Sequence, residues 1–287
     1  MKIRGYLLIM AAAALWGMLG PFARLAFSKG LLPMEVAFWR AALAWIFFGA
    51  HALLTRQVRM APGDVPAMLV FALTGVTLFY GSYQVAVQQG GAALASVLLY
   101  TAPAWVTVLA RFFFAEAITR VKVAALVLTL TGVCGVSLGA GGTGLHESIS
   151  PKALVAGLAA GFCYSMYYLF GKRFSSRYSS PNLFLYMLPV GALTLLPWVD
   201  FVHKTPVAWA ALGCIALFCT YGAYFCYYNG LKYLEASRAS ITATLEPVVA
   251  GVVAFLWWGE AFSLVGYIGA GLILAAVLLM VLDSIKN

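Results

Sequence analysis

Residues 101–117 read TAPAWVTVLARFFFAEA, and residues 245–261 read LEPVVAGVVAFLWWGEA. Laid over one another at an offset of 144, they match Pro103 with Pro247, Val108 with Val252, Ala110 with Ala254, and Glu116-Ala117 with Glu260-Ala261. The offset holds upstream, where Tyr80 falls on Tyr224, Tyr83 on Tyr227, Ala92 on Ala236, and Ala95-Ser96 on Ala239-Ser240. A neighbouring offset of 148 places Pro33 on Pro181 and Trp16 on Tyr164. Apolar stretches coincide by chance more often than mixed ones. The weight therefore rests on the Tyr-x-x-Tyr pairs, the prolines and the glutamates at constant spacing, and the chain reads as two copies of one unit.

Composition says where that unit lives. Of 287 residues, 63% are hydrophobic and 9% charged, whereas soluble domains carry roughly a quarter charged residues. A helix crossing the ~30 Å hydrocarbon core needs about 20 apolar residues, so this length accommodates about ten crossings. Charges and turn residues divide the chain into spans near 5–27, 34–55, 64–88, 91–114, 121–139, 151–173, 181–200, 206–229, 236–258 and 263–283. Their uniform length argues helices; a membrane barrel shows short alternating strands. Lys2 and Arg4 precede an apolar run to about Phe27, longer than the apolar region of a signal peptide, so this is the first span.

Five spans per copy is an odd number, so the second copy enters from the opposite side, an arrangement that secondary transporters use to build a midplane site with alternating access. The expected organisation is a first repeat over 1–142, an external linker over 143–150 rich in turn residues, and a second repeat over 151–287. Basic residues mark the cytoplasmic side. With the N-terminus inside, Lys2, Arg4, Arg56, Arg59, Arg111, Arg120, Lys122, Lys172, Arg173, Arg177, Lys232, Arg238 and Lys286 gather on one face, against Arg24, Lys29, Lys152 and Lys204 on the other. Both termini are therefore expected in the cytoplasm of a bacterial-type inner membrane. The net charge of +9 is read as topogenic, with no nucleic-acid partner.

These residues resemble the drug/metabolite transporter superfamily, and within it the ten-helix EamA-type exporters. The resemblance spans nearly the whole chain and rests on Ala-Leu-Trp-Gly at 14–17, Phe-Trp-Arg at 38–40, and the duplicated pattern from Pro103 to Glu116 and from Leu245-Glu246-Pro247 to Glu260. It implies an all-α integral membrane protein of ten transmembrane helices, two inverted five-helix repeats around a central cavity. It also implies export of small metabolites without nucleotide hydrolysis, with aromatic and neutral amino acids as common substrates. Two departures from relatives narrow this. Four-helix cation exporters carry an acidic residue in span 1 where this chain has Trp16, and sugar-phosphate relatives carry basic residues in late spans where span 10 has none.

Ionisable groups at bilayer depth cost roughly 2.5–3.5 kcal/mol on insertion scales, which makes them functional candidates. Glu246, beside Pro247 in span 9, is positioned to hold a substrate ammonium, to carry a coupling proton, or to bond neighbouring helices at a kink. Arg40 in span 2 binds a substrate carboxylate, pairs with an acidic group, or snorkels to the outer headgroups. Trp16, Tyr80, Tyr83, Tyr100, Tyr164, Tyr224 and Tyr227, with Gln84 as a polar partner, are expected to wall a cavity formed by spans 1, 3, 4, 6, 8 and 9. Tyr167, Tyr228 and Tyr233 are read as interfacial belt. Pro103 and Pro247 are candidate hinges, while Gly135/Gly139 and Gly157/Gly161 fit close helix packing.

No enzyme chemistry is spelled out. His51, His146 and His203 fall at span ends or in loops, and His146-Glu147 is followed by Ser150 where a second zinc ligand would stand. Cys134, Cys163, Cys214, Cys219 and Cys226 form no C-x-x-C pair, so neither a metal nor a disulfide framework is signalled, and no cofactor is expected. The expected activity is secondary export of a small molecule, amino acids first. Amphipathic metabolites or drugs, and a receptor that binds without moving its ligand, are the alternatives. Protons remain open as a coupling ion.

Overall fold

The computed structural model describes residues 2–139 and 150–286. The expected linker except for Ser150, and His146 with it, lies outside the described residues. Five spans begin with proline at their first or second position, at Pro33, Pro62, Pro151, Pro181 and Pro206, where the missing amide forfeits no intrahelical bond. Among the described residues nine helices are apolar and long enough to cross a membrane, and a shorter apolar helix covers Ala102–Phe114. The 38-residue run Pro62–Leu99 is two spans, because Gly91 adopts φ 79° and ψ 163° and turns the chain. Ten spans result.

Span 1 comprises Lys2–Gly17 and Leu19–Phe27 and is broken at Met18; span 2 is Pro33–Leu54. Span 3 runs over 62–90 with a π-helical turn at Leu73–Leu78, and span 4 over 92–114 with a break at Tyr100-Thr101. Span 5 is Arg120–Gly139, span 6 Pro151–Phe174, and span 7 Ser180–Leu195 closed by a turn to Trp198. Span 8 runs from Pro206 to Leu231 through a π-helical segment at Ile215–Gly222. Span 9 is split into Ala236–Ala243 and Glu246–Trp258, and span 10 is Leu264–Lys286.

The irregularities repeat at the sequence offset of 144. Half-helices 92–99 and 102–114 answer Ala236–Ala243 and Glu246–Trp258, and the π-helical segments of spans 3 and 8 answer each other. Contacts follow the same symmetry. Spans 5 and 10 pack on each other, as do 2 and 7, while span 4 against 6 mirrors span 9 against 1. The architecture is two inverted five-helix repeats. Spans 5 and 10 approach through Gly132, Gly135 and Gly139 against Gly266 and Gly269, where a Cβ added at Gly132, Gly135, Gly139 or Gly269 would collide with backbone; small residues are how membrane helices gain van der Waals contact when lipid supplies no hydrophobic drive. Gly157 and Gly161 of span 6 sit likewise against Leu98 and Thr101.

Alternation of spans puts Arg24 and Glu260 on the face where Gly139 ends span 5 and Pro151 begins span 6, the linker face. Glu116, Glu235, Lys2 and Lys286 share the opposite one, the terminal face.

Candidate functional site

The split helices exist because their sequences cannot run on. Pro103 and Pro247 each stand second in a half-helix, Ala102–Phe114 and Glu246–Trp258, and a proline ring clashes with the carbonyl four residues back. The chain therefore interrupts the helix at Tyr100-Thr101 and Thr244-Leu245. The result sharpens the expectation of a kink in mid-span. Glu246 is the first residue of a half-helix, where a carboxylate meets the positive end of the helix dipole, while the matching place in span 4 is Ala102.

Between the repeats lies a cavity of about 720 Å³. Trp16, Arg40, Tyr80, Tyr83, Gln84, Tyr100, Tyr164, Tyr224, Glu246 and Pro247 all line it. Spans 2 and 5 contribute as well, through Val36, Ala37, Val136 and Ser137. The mouth is on the linker face, where Arg24 Nη1 meets Glu260 Oε1 at 2.6 Å with both side chains more than half exposed and the guanidinium lies 4.7 Å from the Trp258 ring centre. Deeper in, Arg40 donates from Nε to Thr220 Oγ1 at 2.9 Å, and that hydroxyl in turn donates to the Ile215 carbonyl in the π-helical segment of span 8. Arg40 is thus held inside the protein, and the snorkelling alternative does not describe it. Tyr164 OH approaches Glu246 Oε2 at 3.5 Å, the outer limit of a hydrogen bond.

Toward the terminal face the cavity ends in stacked aromatic rings. Trp16 touches Tyr224 and Tyr227 at centroid separations of 5.4 and 5.3 Å, Tyr167 stacks on Tyr224 at 5.2 Å, and Tyr168 meets Tyr227 edge-on at 5.3 Å. Tyr167 OH donates to the Gly75 carbonyl, and Tyr228 OH to the Tyr167 carbonyl. Two expectations change here. Tyr227 does not line the cavity but packs beneath it, 1% exposed. Tyr167 and Tyr228, read as interfacial belt, are buried members of this layer, because spans 6 and 8 are among the more enclosed spans and their tyrosines face protein. Tyr233 stays near the surface beneath Arg4. Pro103 is likewise outside the cavity lining.

Beyond the aromatic layer the terminal face is locked by charge. Lys122, 1% exposed, places Nζ 3.0 Å from Glu235 and 3.9 Å from Glu116, and donates to the Ala117 carbonyl at 2.8 Å. Arg238 bridges Glu235 at 2.8 Å and Asp283 at 2.6 Å. Burial acts to raise the Glu235 carboxyl, but hydrogen bonds from Lys122 and Arg238 outweigh it and hold the group below its ordinary value. Glu116 caps the start of span 9 through the Ala236 and Ser237 amides. Sequence reasoning found Glu116 and Glu260 as a duplicated pair but no partners for them, since charges far apart in the chain carry no local signal. The buried ion pair of Glu35 with Lys204, whose ammonium lies within 5.6 Å of the Trp39, Phe201 and Trp209 ring centres, was invisible for the same reason. Among the described residues no group of three His, Cys, Asp or Glu is placed to hold a metal ion.

Comparison with known proteins bears on what this cavity serves. An uncharacterized transporter of Archaeoglobus fulgidus is 29% identical over 94% of both chains. An uncharacterized inner membrane transporter of Salmonella typhimurium, YicL, is 26% identical over 98% of this chain and 96% of its own. A probable terminal-alkyne amino-acid exporter of Streptantibioticus cattleyicolor is 30% identical over 76% of this chain and 73% of its own. A protein of known crystal structure superposes over 98% of both chains with a TM-score of 0.83 at 19% identity, a likeness of fold. Residues 3–138 and 151–282 both match the EamA-like transporter family. With the family pattern present twice and covering nearly all of the ten spans, the chain belongs to the EamA-like transporter family and is a multi-pass membrane transporter.

Proposed function

We propose that the protein exports amino acids with aromatic or neutral side chains, by alternating exposure of the central cavity to the two sides of the membrane. The observation that carries this reading is the presence inside one aromatic-walled cavity of a part-buried cation, Arg40, and a carboxylate, Glu246, from spans 2 and 9. An amino acid is a zwitterion. Its carboxylate would meet the Arg40 guanidinium and its ammonium Glu246, while Trp16, Tyr80, Tyr83, Tyr100, Tyr164 and Tyr224 supply rings for the side chain and Gln84 a further polar contact. A ligand carrying both charges would complement both groups at once. The cavity volume falls within the roughly 300–1,000 Å³ range of small-molecule sites. The exporter of Streptantibioticus cattleyicolor, described as acting on a terminal-alkyne amino acid, supports the same class.

The repeats over 1–142 and 151–287 would rock against each other, with the interrupted segments before Pro103 and Pro247 as joints. The basic residues of the terminal face support a cytoplasmic position for it and for both termini, and on that reading the state described here opens outward. Uptake of labelled phenylalanine, tryptophan, threonine and methionine into proteoliposomes, with and without a proton gradient, tests the proposal. Accumulation above empty liposomes is expected; its absence with correctly inserted protein, together with accumulation of a lipophilic cation, would replace amino acids by amphipathic drugs as the substrate class.

A further inference from the structure

Glu116 and Glu260 hold equivalent places, each one residue past a left-handed helix end, at Ala115 with φ 54° and at Gly259 with φ 69°. Their surroundings are opposite. Glu116, 7% exposed, accepts from the Ala236 amide at 2.7 Å and from the Ser237 amide and hydroxyl at 3.1 and 2.6 Å. Those two residues begin the first half-helix of span 9. Glu260, 52% exposed, pairs with Arg24 at the cavity mouth. The residues that answer Ala236 and Ser237 are Ala92 and Ala93, which begin the first half-helix of span 4 and line the open cavity. On the closed face a glutamate of one repeat caps a half-helix of the other; on the open face the equivalent partners stand apart.

Resting on the alternating-access reading, we propose that Glu116 and Glu260 are paired gate residues that cap in turn. When the terminal face opens, Glu116 leaves Ala236 and Ser237, while Glu260 leaves Arg24 and caps the half-helix at Ala92 and Ala93, sealing the linker face. The amides at a helix start lack intrahelical partners and carry the positive end of the dipole. Charge-assisted bonds to them in a closed, dehydrated face outweigh an exposed ion pair, which contributes little. Each state thereby has its own latch. The two are unequal, because Ser237 adds a hydroxyl where Ala93 has a methyl, and Lys122 stands behind Glu116. The terminal-face latch is the tighter, which makes the state with the linker face open the resting one.

The equivalent serines Ser96, in the cavity lining, and Ser240, fully buried, report the two faces. In a background with the five native cysteines replaced, Ser96→Cys and Ser240→Cys are labelled with a membrane-impermeant maleimide from either side, with and without substrate. Glu116→Ala is expected to raise labelling of Ser240→Cys and lower that of Ser96→Cys on the order of tenfold, equal to about 1.4 kcal/mol. Glu260→Ala is expected to act with the opposite sign, and Gln at either position, which keeps an acceptor oxygen, to restore most of the parental pattern. Should Glu116→Ala fail to fold, Glu260→Ala, at an exposed position, decides alone by lowering Ser240→Cys labelling. Shifts of the same sign in both variants, or an unresponsive Glu260→Ala while substrate still exchanges labelling between the faces of the parent, would overturn the gate and leave alternating access standing. A parent in which labelling never exchanges would overturn both.

Discussion

If Glu246 holds the substrate ammonium, replacing it with Gln should weaken a zwitterion and leave its deaminated counterpart nearly untouched. Glu246 opens the half-helix Glu246–Trp258, lines the cavity, and is approached by Tyr164 at 3.5 Å. A carboxylate has about four lone-pair sites, so room remains for an ammonium. Hydrogen bonds to charged groups contribute about 1.5–3 kcal/mol, roughly 10- to 150-fold in affinity. Glutamine keeps one acceptor oxygen, so the loss belongs at the lower end, about tenfold. Comparing phenylalanine with 3-phenylpropionate on the parent and on Glu246→Gln closes a cycle between protein and ligand, read by isothermal titration of protein in detergent. The expected coupling is about 1.5 kcal/mol, because the parent's preference for phenylalanine collapses in the variant. Independent groups add to within about 0.3–0.5 kcal/mol, so a coupling inside that range would refute the assignment of Glu246 to the ammonium.

Three further outcomes follow from local geometry. Ala115, in the left-handed region at φ 54°, holds a conformation that favours glycine, so Ala115→Gly should stabilise by about 0.5–1 kcal/mol, and a lower melting temperature would contradict this. Gly139→Val should abolish folded yield, since its Cβ would strike the Gly266 backbone, whereas Gly20→Ala, with nothing within 4 Å, should express normally; equal yields of both would be the contrary result. The Glu235 carboxyl is held below its ordinary value by Lys122 and Arg238 against the opposing effect of burial. A group depressed in the folded state stabilises above its unfolded value near 4.3 and loses that contribution as pH falls through it toward the folded value. Melting temperature should therefore drop more steeply below pH 5 in the parent than in Glu235→Gln, and parallel curves would refute this.

Most of the fold could be read from sequence because membrane spans are written in composition. The ten boundaries were placed within a few residues for most spans, since lipid demands long apolar runs and loops collect the charge. The duplicated Pro103 and Pro247 marked both helix breaks, though only coordinates show Glu246 heading a half-helix. The cavity was legible where a polar aromatic stood at mid-depth, as at Tyr80, Tyr100 and Tyr164. It was illegible where burial came from a neighbouring helix. Tyr167 and Tyr228 look like belt residues by depth, yet spans 6 and 8 enclose them. Tyr227 shares the helix of Tyr224 but points below the cavity, onto Trp16 and Tyr168. The terminal-face lock joins residues from spans 5, 9 and 10 and the loops before spans 5 and 9. No local pattern announces such pairings.

Counterflow tests alternating access through this cavity most directly. Proteoliposomes loaded with unlabelled phenylalanine and diluted into a trace of labelled phenylalanine should accumulate label transiently above equilibrium, without any imposed ion gradient, because a carrier that alternates its cavity returns loaded. Arg40→Ala should abolish the overshoot while the protein remains folded. Simple equilibration, or no entry despite measurable binding, would contradict the central claim, the first pointing to a pore and the second to a receptor.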